Sequence, residues 1–306
     1  MIKTISINIK NIKSTNKEAT VVNAIEEFVE EFVQEVVKEI AAKSVKIQFP
    51  DFKNIKSPIL SKYIVDKEKF INDADMVLSI GGDGTFLGTA KLFIDRNIPI
   101  LGINRGRLGF LTEFSKSDFF NCLPEILKGN FNITKRSVMT ASHIRDNQET
   151  SQSYFINDGV LSKGAFSRAI KLEIELNDEL ISSYYGDGLI VSTATGSTAY
   201  SLSAGGPIIS PETSDVYLLN PVCPHSLGTR PIILPGSSRL KARMISEAEN
   251  LLLTLDGQEA IEVKTGDTIR FELSDKYINM VHHPQKSFYN ILKEKLNWGG
   301  LNASRT

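Results

Sequence analysis

The chain has 306 residues, of which 41% are hydrophobic, and its 35 Lys and Arg residues nearly balance its 36 Asp and Glu residues. This length and hydrophobic content predict one or two folded domains rather than a disordered chain. Because the net charge is close to zero, no global field attracts nucleic acid or an anionic membrane, and we expect neither as a partner.

The first third of the chain alternates strand and helix patterns. Isoleucines at every second position over 5–9 predict a strand, and apolar residues three and four apart over 20–42 predict an amphipathic helix. Short apolar runs at 76–80 and 98–103 flank a helical pattern over 86–94. This order of elements is typical of an α/β domain, in which helices cover a parallel sheet.

The pattern changes after residue 114. Residues 169–176 alternate apolar and charged side chains, which predicts a half-exposed antiparallel strand, and Asn177-Asp178-Glu179 predicts the turn that follows it. Further short apolar runs separated by Asp-Gly and Gly-Asp pairs predict an all-β domain. The polar, aperiodic segment 146–153 is predicted to be a loop, and 288–298 a last helix.

The segment Gly81-Gly82-Asp83-Gly84-Thr85 lies between a predicted strand and a predicted helix. Glycines let the backbone approach a ligand closely, and the start of a helix offers amide groups to phosphate. Asp83 can accept a proton from an attacking hydroxyl or help hold Mg²⁺, and its alternative role is a helix N-cap. The sequence contains neither Gly-x-x-x-x-Gly-Lys-Ser/Thr nor Gly-x-Gly-x-x-Gly, which disfavours a P-loop nucleotidase and an ordinary dehydrogenase.

Two later segments carry polar groups suited to a nucleotide. Asp187 precedes an apolar run, and residues 192–201 are dense in serine, threonine and glycine. Their hydroxyls and amides can bind ribose and phosphate while Tyr200 stacks on a flat ring, although a connecting loop is the alternative. Asn157 and Asp158 can recognise ribose hydroxyls or an adenine edge, but Asn-Asp-Gly is also an ordinary turn.

The cysteines and histidines give no sign of a metal site. Cys122 and Cys223 lie far apart, and we predict that Cys223 is a buried structural residue. His143, His282 and His283 lack metal-ligand spacing, and we predict ordinary surface or turn positions for them. No signal peptide and no apolar run of ~18 residues is present, so we expect a cytoplasmic protein.

Together these segments resemble the NAD kinase family. The resemblance rests on Gly81-Gly82-Asp83-Gly84-Thr85, residues 102–111, Asn157-Asp158, Asp187-Gly188, residues 195–201, Pro224-His225-Ser226-Leu227 and Asp256-Gly257-Gln258. It spans residues 75–258. The glycine-rich turn alone is shared with diacylglycerol kinases, sphingosine kinases and phosphofructokinases, whereas the serine- and threonine-rich stretch is far more specific.

The resemblance implies an α/β domain over 1–114, a β-sandwich nucleotide-binding domain over 115–275, and a C-terminal segment over 276–306 whose helix packs back on the first domain. It implies transfer of the terminal phosphoryl group of ATP, or of another donor, to the 2′-hydroxyl of the adenosine ribose of NAD. Asp83 is the implied catalytic residue. The implied nucleotide-binding residues are Gly84, Asn157, Asp158, Arg168, Tyr185, Asp187, Thr198, Ala199, Tyr200, Ser201, Leu202, Ser203 and Gln258.

The family also implies Mg²⁺ or another divalent cation, carried by the phosphoryl donor, and a homodimer or homotetramer. Three positions depart from the family pattern. Asp158 stands where glutamate is common, Gly159 where a larger residue is usual, and Ala194 where proline is usual. Each keeps the charge or the strand, so we expect altered affinity rather than loss of activity.

Two alternative functions stay open at this point. A diacylglycerol-type lipid kinase acts on a membrane-bound substrate, so a basic or amphipathic membrane-facing run is expected, and none is found in the sequence. A non-catalytic NADP sensor on the same scaffold would be indicated by loss of the acid in the glycine-rich turn, but Asp83 is present.

Overall fold

The computed structural model describes residues 2–9, 31–51, 58–164, 169–245 and 251–299. The chain forms two compact units. The first unit combines the two ends of the chain, Met1–Thr134 and Asn279–Thr306, and the second is the segment Lys135–Ile278. The first unit thus continues past residue 114, where we predicted a domain boundary.

Helices are concentrated in the first unit and strands in the second. The described α-helices are α1 (31–41), α2 (Pro58–Ser61), α3 (Lys67–Asn72), α4 (Asp83–Leu92), α5 (Lys116–Lys128), α6 (Tyr200–Ser203) and α7 (Phe288–Leu296). The described strands are β1 (Thr4–Ile9), β2 (Lys46–Pro50), β3 (Ile64–Val65), β4 (Met76–Gly81), β5 (Pro99–Asn104), β6 (Asn132–Arg145), β7 (Gln148–Phe155), β8 (Asp158–Ser162), β9 (Ile170–Leu176), β10 (Glu179–Gly186), β11 (Gly188–Thr193), β12 (Val216–Val222), β13 (Ile232–Pro235), β14 (Leu240–Met244), β15 (Leu251–Leu255), β16 (Glu259–Val263) and β17 (Thr268–His282).

The first unit is built on the predicted parallel sheet. Its strands pair in the order β5-β4-β1-β2-β3, and the end of β17 pairs with β5. Alternate residues of a strand point to opposite faces. Ile5 and Ile7 therefore share a core with α1 and α5, while Ser6 and Asn8 bond to Phe70 of α3 and Thr89 of α4. Helices thus cover both faces of the sheet, as the sequence predicts.

Two helices of the first unit differ from their predicted extents. Of the helix predicted over 20–42, residues 31–41 are helical, and residues 20–30 lie outside the described residues. Helix α4 begins at Asp83, three positions before Phe86, where the helical pattern of the sequence begins. The start of α4 therefore coincides with the glycine-rich turn itself.

The second unit is a β-sandwich. One antiparallel sheet has the order β10-β9-β14-β17-β6-β7, and the other has the order β13-β12-β11-β8-β15-β16. Residues of both sheets, such as Leu172 in β9 and Val191 in β11, belong to one buried cluster. The predicted β9–β10 hairpin is present, and its turn residues Asn177 and Asp178 have φ of 51° and 69°.

The loop predicted over 146–153 is wrong. Strands β6 and β7 pair antiparallel through most of this segment, with Asp146 and Asn147 as a left-handed two-residue turn. Residues 148–152 of β7 are largely exposed and β7 is the outermost strand of its sheet. Since an exposed edge strand needs no apolar side chains on its outer part, the sequence gives no alternation there.

Helix α7 belongs to the first unit, as the predicted return of the C-terminal helix requires. It begins after Ser287, whose side chain accepts the N–H of Asn290. Ile291 and Leu292 are buried, whereas Leu296 is 40% exposed, so the buried stripe is shorter than its apolar spacing suggests. No helix in the described ranges is long and apolar enough to cross a membrane.

Candidate active site

Asp83 is the first residue of α4, and its carboxylate binds a loop that follows β5. Oδ2 accepts the N–H of Phe110 at 2.9 Å, and Oδ1 accepts the N–H groups of Leu111 and Thr112 at 3.0 and 3.2 Å. The Thr112 hydroxyl also donates to Oδ1 at 3.1 Å. The N-cap position of α4 is occupied by Gly82 without a side-chain cap, so the alternative role of Asp83 as a helix N-cap is wrong.

The loop reaches Asp83 because β4 and β5 are neighbours in the sheet. Gly81, at the end of β4, pairs with Asn104, at the end of β5. The Asn104 side chain ties the loop together, since Nδ2 donates to the carbonyls of Thr112 and Phe114 and Oδ1 accepts the N–H of Gly106. We call residues 105–112 the anchoring loop.

Gly109 lies where the anchoring loop approaches Asp83 most closely. A Cβ atom at this position would overlap Asp83 Oδ1 and the Thr112 hydroxyl. Only glycine therefore fits here without displacing the carboxylate. Gly84, the implied nucleotide-binding residue beside Asp83, is exposed in the first turn of α4.

In the second unit a different carboxylate organises Asn157 and Asp158. Asp256 Oδ1 accepts the N–H of Asn157 at 2.7 Å and that of Asp158 at 3.3 Å, and both of its oxygens lie 3.1 Å from the N–H of Ile156. Asp256 belongs to the turn after β15, with φ of 52°. The sequence gives Asp256 only as part of the motif Asp256-Gly257-Gln258, in which Gln258 is the implied nucleotide-binding residue.

Asp158 is buried, and its environment favours the neutral form. Burial and the neighbouring carboxylate of Asp256 raise the pKa of Asp158 to about 6, while the N–H of Tyr200 opposes this shift. Such a perturbed carboxyl group inside a polar cluster is typical of a functional site.

The serine- and threonine-rich stretch folds against Asn157. The Thr193 hydroxyl donates to the carbonyl of Ile156 at 2.6 Å and accepts the N–H of Gly196 at 3.1 Å. A Cβ atom at Gly196 would overlap the carbonyl of Asn157. The segments 156–158, 193–203 and 256–258 thus form one cluster in the second unit.

The predicted residues of this cluster differ in exposure. Tyr200, Ser203 and Gln258 are exposed, and Thr198, Ala199 and Leu202 are half-buried. Ser201 is fully buried, and its hydroxyl accepts a hydrogen bond from Asn220 Nδ2 at 3.1 Å. The Ser201 side chain therefore supports the α6 turn rather than the surface of the cluster.

Asp187 and Tyr185 lie at the other end of β11. The register places Asp158 opposite Ser192, which is five residues from Asp187, or roughly 17 Å along the strand. Asp187 pairs with Lys163 at 2.7 Å, and the Tyr185 ring lies 4.6 Å from that of His225. The structure does not bring these two residues into the Asn157 cluster, and Arg168 lies outside the described residues.

The predictions for Cys223 and two histidines are wrong. Cys223 is exposed, with φ of 48°, because it occupies a tight turn between β12 and Pro224. His143 is buried against Asp267 at 2.8 Å, and His283 is buried with its main-chain N–H bonded to Glu113. Among the described residues, no group of three or more His, Cys, Asp or Glu side chains is arranged to hold a metal ion.

The first unit thus carries a fixed carboxylate and the free amide groups of a helix start, which suit a phosphorylated ligand, and the second unit carries a polar cluster in a β-sandwich. The model of the ATP-NAD kinase N-terminal domain matches residues 9–131, and that of the ATP-NAD kinase C-terminal domain matches residues 156–283. The chain belongs to the NAD kinase family.

Curated relatives match over most of the chain. It is 40% identical over 268 residues to the NAD kinase of Aquifex aeolicus (strain VF5), covering 84% of this chain and 97% of the relative. It is 42% identical over 224 residues to the NAD kinase of Magnetococcus marinus, covering 73% of this chain and 74% of the relative.

Two solved structures share the fold. Yeast NADH kinase complexed with NADH superposes with a TM-score of 0.84 at 24% identity, covering 100% of this chain and 90% of that one. An NAD kinase from Archaeoglobus fulgidus in complex with ATP has a TM-score of 0.70 at 19% identity, covering 96% and 97%. At these identities the similarity is one of fold.

Proposed function

We propose that this chain is an NAD kinase that transfers the terminal phosphoryl group of ATP to the 2′-hydroxyl of the adenosine ribose of NAD. A bond forms between the 2′-oxygen and the terminal phosphorus, the bond from that phosphorus to the ADP oxygen breaks, and the hydroxyl proton leaves. The activity is supported by the match of both units to models of the NAD kinase family and by the similarity to curated NAD kinases. The observation that carries the mechanism is the carboxylate of Asp83 in the glycine-rich turn, which is fixed by three main-chain N–H groups of the anchoring loop.

Asp83 is the proposed catalytic residue. The ribose hydroxyl is a poor nucleophile and must lose its proton as the phosphorus–oxygen bond forms. A carboxylate held in one orientation can align that hydroxyl and accept its proton late in the reaction. The phosphoryl donor would carry Mg²⁺ or another divalent cation, which would neutralise charge on the phosphates.

The proposed nucleotide-binding residues fall into two groups. Gly84 lies beside Asp83, and Asn157, Asp158, Gln258 and residues 198–203 belong to the cluster of the second unit. Arg168, Tyr185 and Asp187 are proposed on the resemblance alone. The cytoplasmic location and the homodimer or homotetramer stay predictions.

A coupled assay tests the proposal. The protein is incubated with ATP, Mg²⁺ and NAD, and NADP is measured with an NADP-specific dehydrogenase. We expect NADP formation that depends on both ATP and NAD. Omitting NAD and adding a diacylglycerol instead tests the lipid kinase, which finds no support in the comparisons. Binding of NADP without any NADP formation would favour the non-catalytic sensor and contradict our proposal.

A further inference from the structure

The two oxygens of Asp83 are held unequally. Oδ1 accepts three hydrogen bonds, from the N–H groups of Leu111 and Thr112 and from the Thr112 hydroxyl. Within the described residues Oδ2 accepts one, from the N–H of Phe110. A carboxylate has about four lone-pair sites, two on each oxygen. Oδ1 is therefore saturated, whereas Oδ2 keeps room for one more donor.

Among the described residues, Thr112 is the only one whose side chain donates a hydrogen bond to the Asp83 carboxylate. It is fully buried, and its carbonyl accepts bonds from Asn104 Nδ2 and from the N–H of Gly109. These bonds fix the backbone of Thr112 within the anchoring loop. Because the backbone of Thr112 is fixed, its short side chain holds the hydroxyl against Oδ1.

We infer that Thr112 is a positioning residue for the phosphoryl transfer, which saturates Oδ1 and so presents Oδ2 to the attacking hydroxyl. This inference rests on the proposed function. The last torsion angle of an aspartate is broad, so an unrestrained carboxylate samples many orientations. The Thr112 hydroxyl, together with the two amides on Oδ1, restricts the carboxylate plane to one orientation. A fixed acceptor matters because small misplacements of a catalytic group reduce turnover strongly.

The close fit around this pair supports the inference. The absence of a Cβ atom at Gly109 lets Asp83 Oδ1 and the Thr112 hydroxyl meet at 3.1 Å. The anchoring loop therefore closes on Oδ1, and it touches Oδ2 through one amide only. The side of the carboxylate that is left to a substrate is the Oδ2 side.

The test compares a variant that lacks the hydroxyl with one that keeps it. Thr112→Val removes the hydroxyl and keeps the branched shape, whereas Thr112→Ser keeps the hydroxyl. A matched control is Thr140→Val, because Thr140 is also buried and its hydroxyl bonds to a main-chain carbonyl of the second unit. Melting temperature, kcat, and KM for NAD and ATP are measured for each purified variant.

We expect Thr112→Val to lower kcat about ten-fold or more, with each KM changed by no more than about two-fold. Thr112→Ser should keep most of the parent kcat, and Thr140→Val should match the parent. If Thr112→Val does not fold, Thr112→Cys replaces it, since its thiol occupies the position of the hydroxyl but is a weak donor.

The outcomes separate this inference from the proposed function. A parent that makes no NADP contradicts the proposed function itself. An active parent whose Thr112→Val variant keeps the parent kcat overturns the positioning role alone. Equal losses in the Val and Ser variants, or a loss that follows the melting temperature, would also overturn it because the hydroxyl would not be the cause.

Discussion

Asp256 accepts the main-chain N–H of Asn157 at 2.7 Å and thereby fixes the turn between β7 and β8. Asp83 plays an equivalent structural part in the first unit, where it binds three consecutive N–H groups of the anchoring loop. In both units a carboxylate from one turn organises the backbone of another segment that is far away in sequence. The two acids differ in that Asp83 is itself a proposed catalytic group, whereas Asp256 acts through Asn157 and Asp158.

Replacing Asp256 should impair the fold and substrate binding together. Asp256→Ala leaves the N–H groups of Ile156, Asn157 and Asp158 without their acceptor, and we expect a loss of ~2–4 kcal/mol in the free energy of unfolding. KM for NAD should rise about ten-fold. Urea unfolding and steady-state kinetics measure both effects. Asp275→Ala, which removes an exposed carboxylate, is the control and should change neither.

Two asparagines with similar environments should respond differently to alanine. Within the described part of the chain, the Oδ1 atoms of Asn157 and Asn220 are both buried without a hydrogen-bond partner. Asn220 Nδ2 donates to the carbonyl and hydroxyl of Ser201, so Asn220→Ala should destabilise the protein by ~1–3 kcal/mol.

Asn157→Ala removes an unsatisfied buried acceptor, so the melting temperature should hold or rise. If Asn157 binds the nucleotide, the same variant should also raise KM for NAD roughly ten- to hundred-fold. Calorimetry and kinetics on the two variants distinguish these effects. Unchanged kinetics in folded Asn157→Ala would remove Asn157 from the binding site.

Asp158 should make stability depend on pH. Its folded-state pKa of about 6 is above the ordinary value of 3.8, because the group is buried beside Asp256. The folded protein therefore holds the proton more tightly than the unfolded chain does. Stability should fall as the pH rises from about 4 to about 6, and the penalty should be complete above that range.

Asp158→Asn is the variant that tests this dependence. The asparagine keeps an oxygen for the N–H of Tyr200 but carries no charge, so above pH ~6 the variant should be more stable than the parent by up to ~3 kcal/mol. Its unfolding free energy should change less between about pH 4 and pH 6. Parallel pH profiles for parent and variant would show that Asp158 does not titrate in this way.

Helix α7 should stabilise the first unit through two residues. Ile291 and Leu292 are buried, and Ile291→Ala should cost ~2–5 kcal/mol because it leaves a cavity. Leu296→Ala is the matched control, since Leu296 is 40% exposed, and should change stability by less than ~1 kcal/mol. Thermal unfolding measures both, and equal effects would contradict the observed packing.

Loss of α7 should also destabilise the anchoring loop. Lys295 Nζ donates to the carbonyl of Leu108 at 2.8 Å, and the rings of Phe288 and Phe110 lie 6.3 Å apart. We therefore expect a chain truncated before Phe288 to be unstable or insoluble. A truncated chain with the parent melting temperature and activity would contradict this expectation.

Local patterns made the architecture predictable. The isoleucines of β1, the alternation of β9 and the helical spacing of α7 each depend on neighbours within a few residues. The exposed strand β7 escaped prediction because its outer residues contact solvent and so carry no apolar alternation. The burial of His143 and His283 was not predicted because their partners, such as Asp267 for His143, lie far away in the chain.

The site was predictable as a set of motifs but not as a set of contacts. The glycine-rich turn marks Asp83 as unusual, and the resemblance supplies its role. Nothing in the sequence links Asp83 to Thr112, which lies 29 residues further on, because that contact depends on the pairing of β4 with β5. The contact of Asp256 with Asn157 was not predictable for the same reason, since it spans 99 residues.

Asp83→Asn is the central test of the mechanism. The structure removes one ambiguity, since Gly82 occupies the N-cap and the helix does not depend on the Asp83 side chain for capping. An asparagine can still offer one oxygen to the anchoring loop, but its NH₂ group then faces a main-chain N–H. We therefore expect a lower melting temperature, equivalent to ~1–3 kcal/mol for the lost acceptor.

The catalytic effect of Asp83→Asn should exceed this structural effect. If Asp83 takes the proton of the ribose hydroxyl, kcat should fall by ~10²–10⁴-fold while the affinity for NAD is largely retained. Single-turnover kinetics and calorimetric NAD binding separate the two quantities, and Asp95→Asn, an exposed acid beyond the other end of α4, controls for loss of charge. A variant with a lowered melting temperature but the parent turnover would leave Asp83 as a tether for the anchoring loop, and the proposed mechanism would fail because no other carboxylate of the glycine-rich turn can replace it.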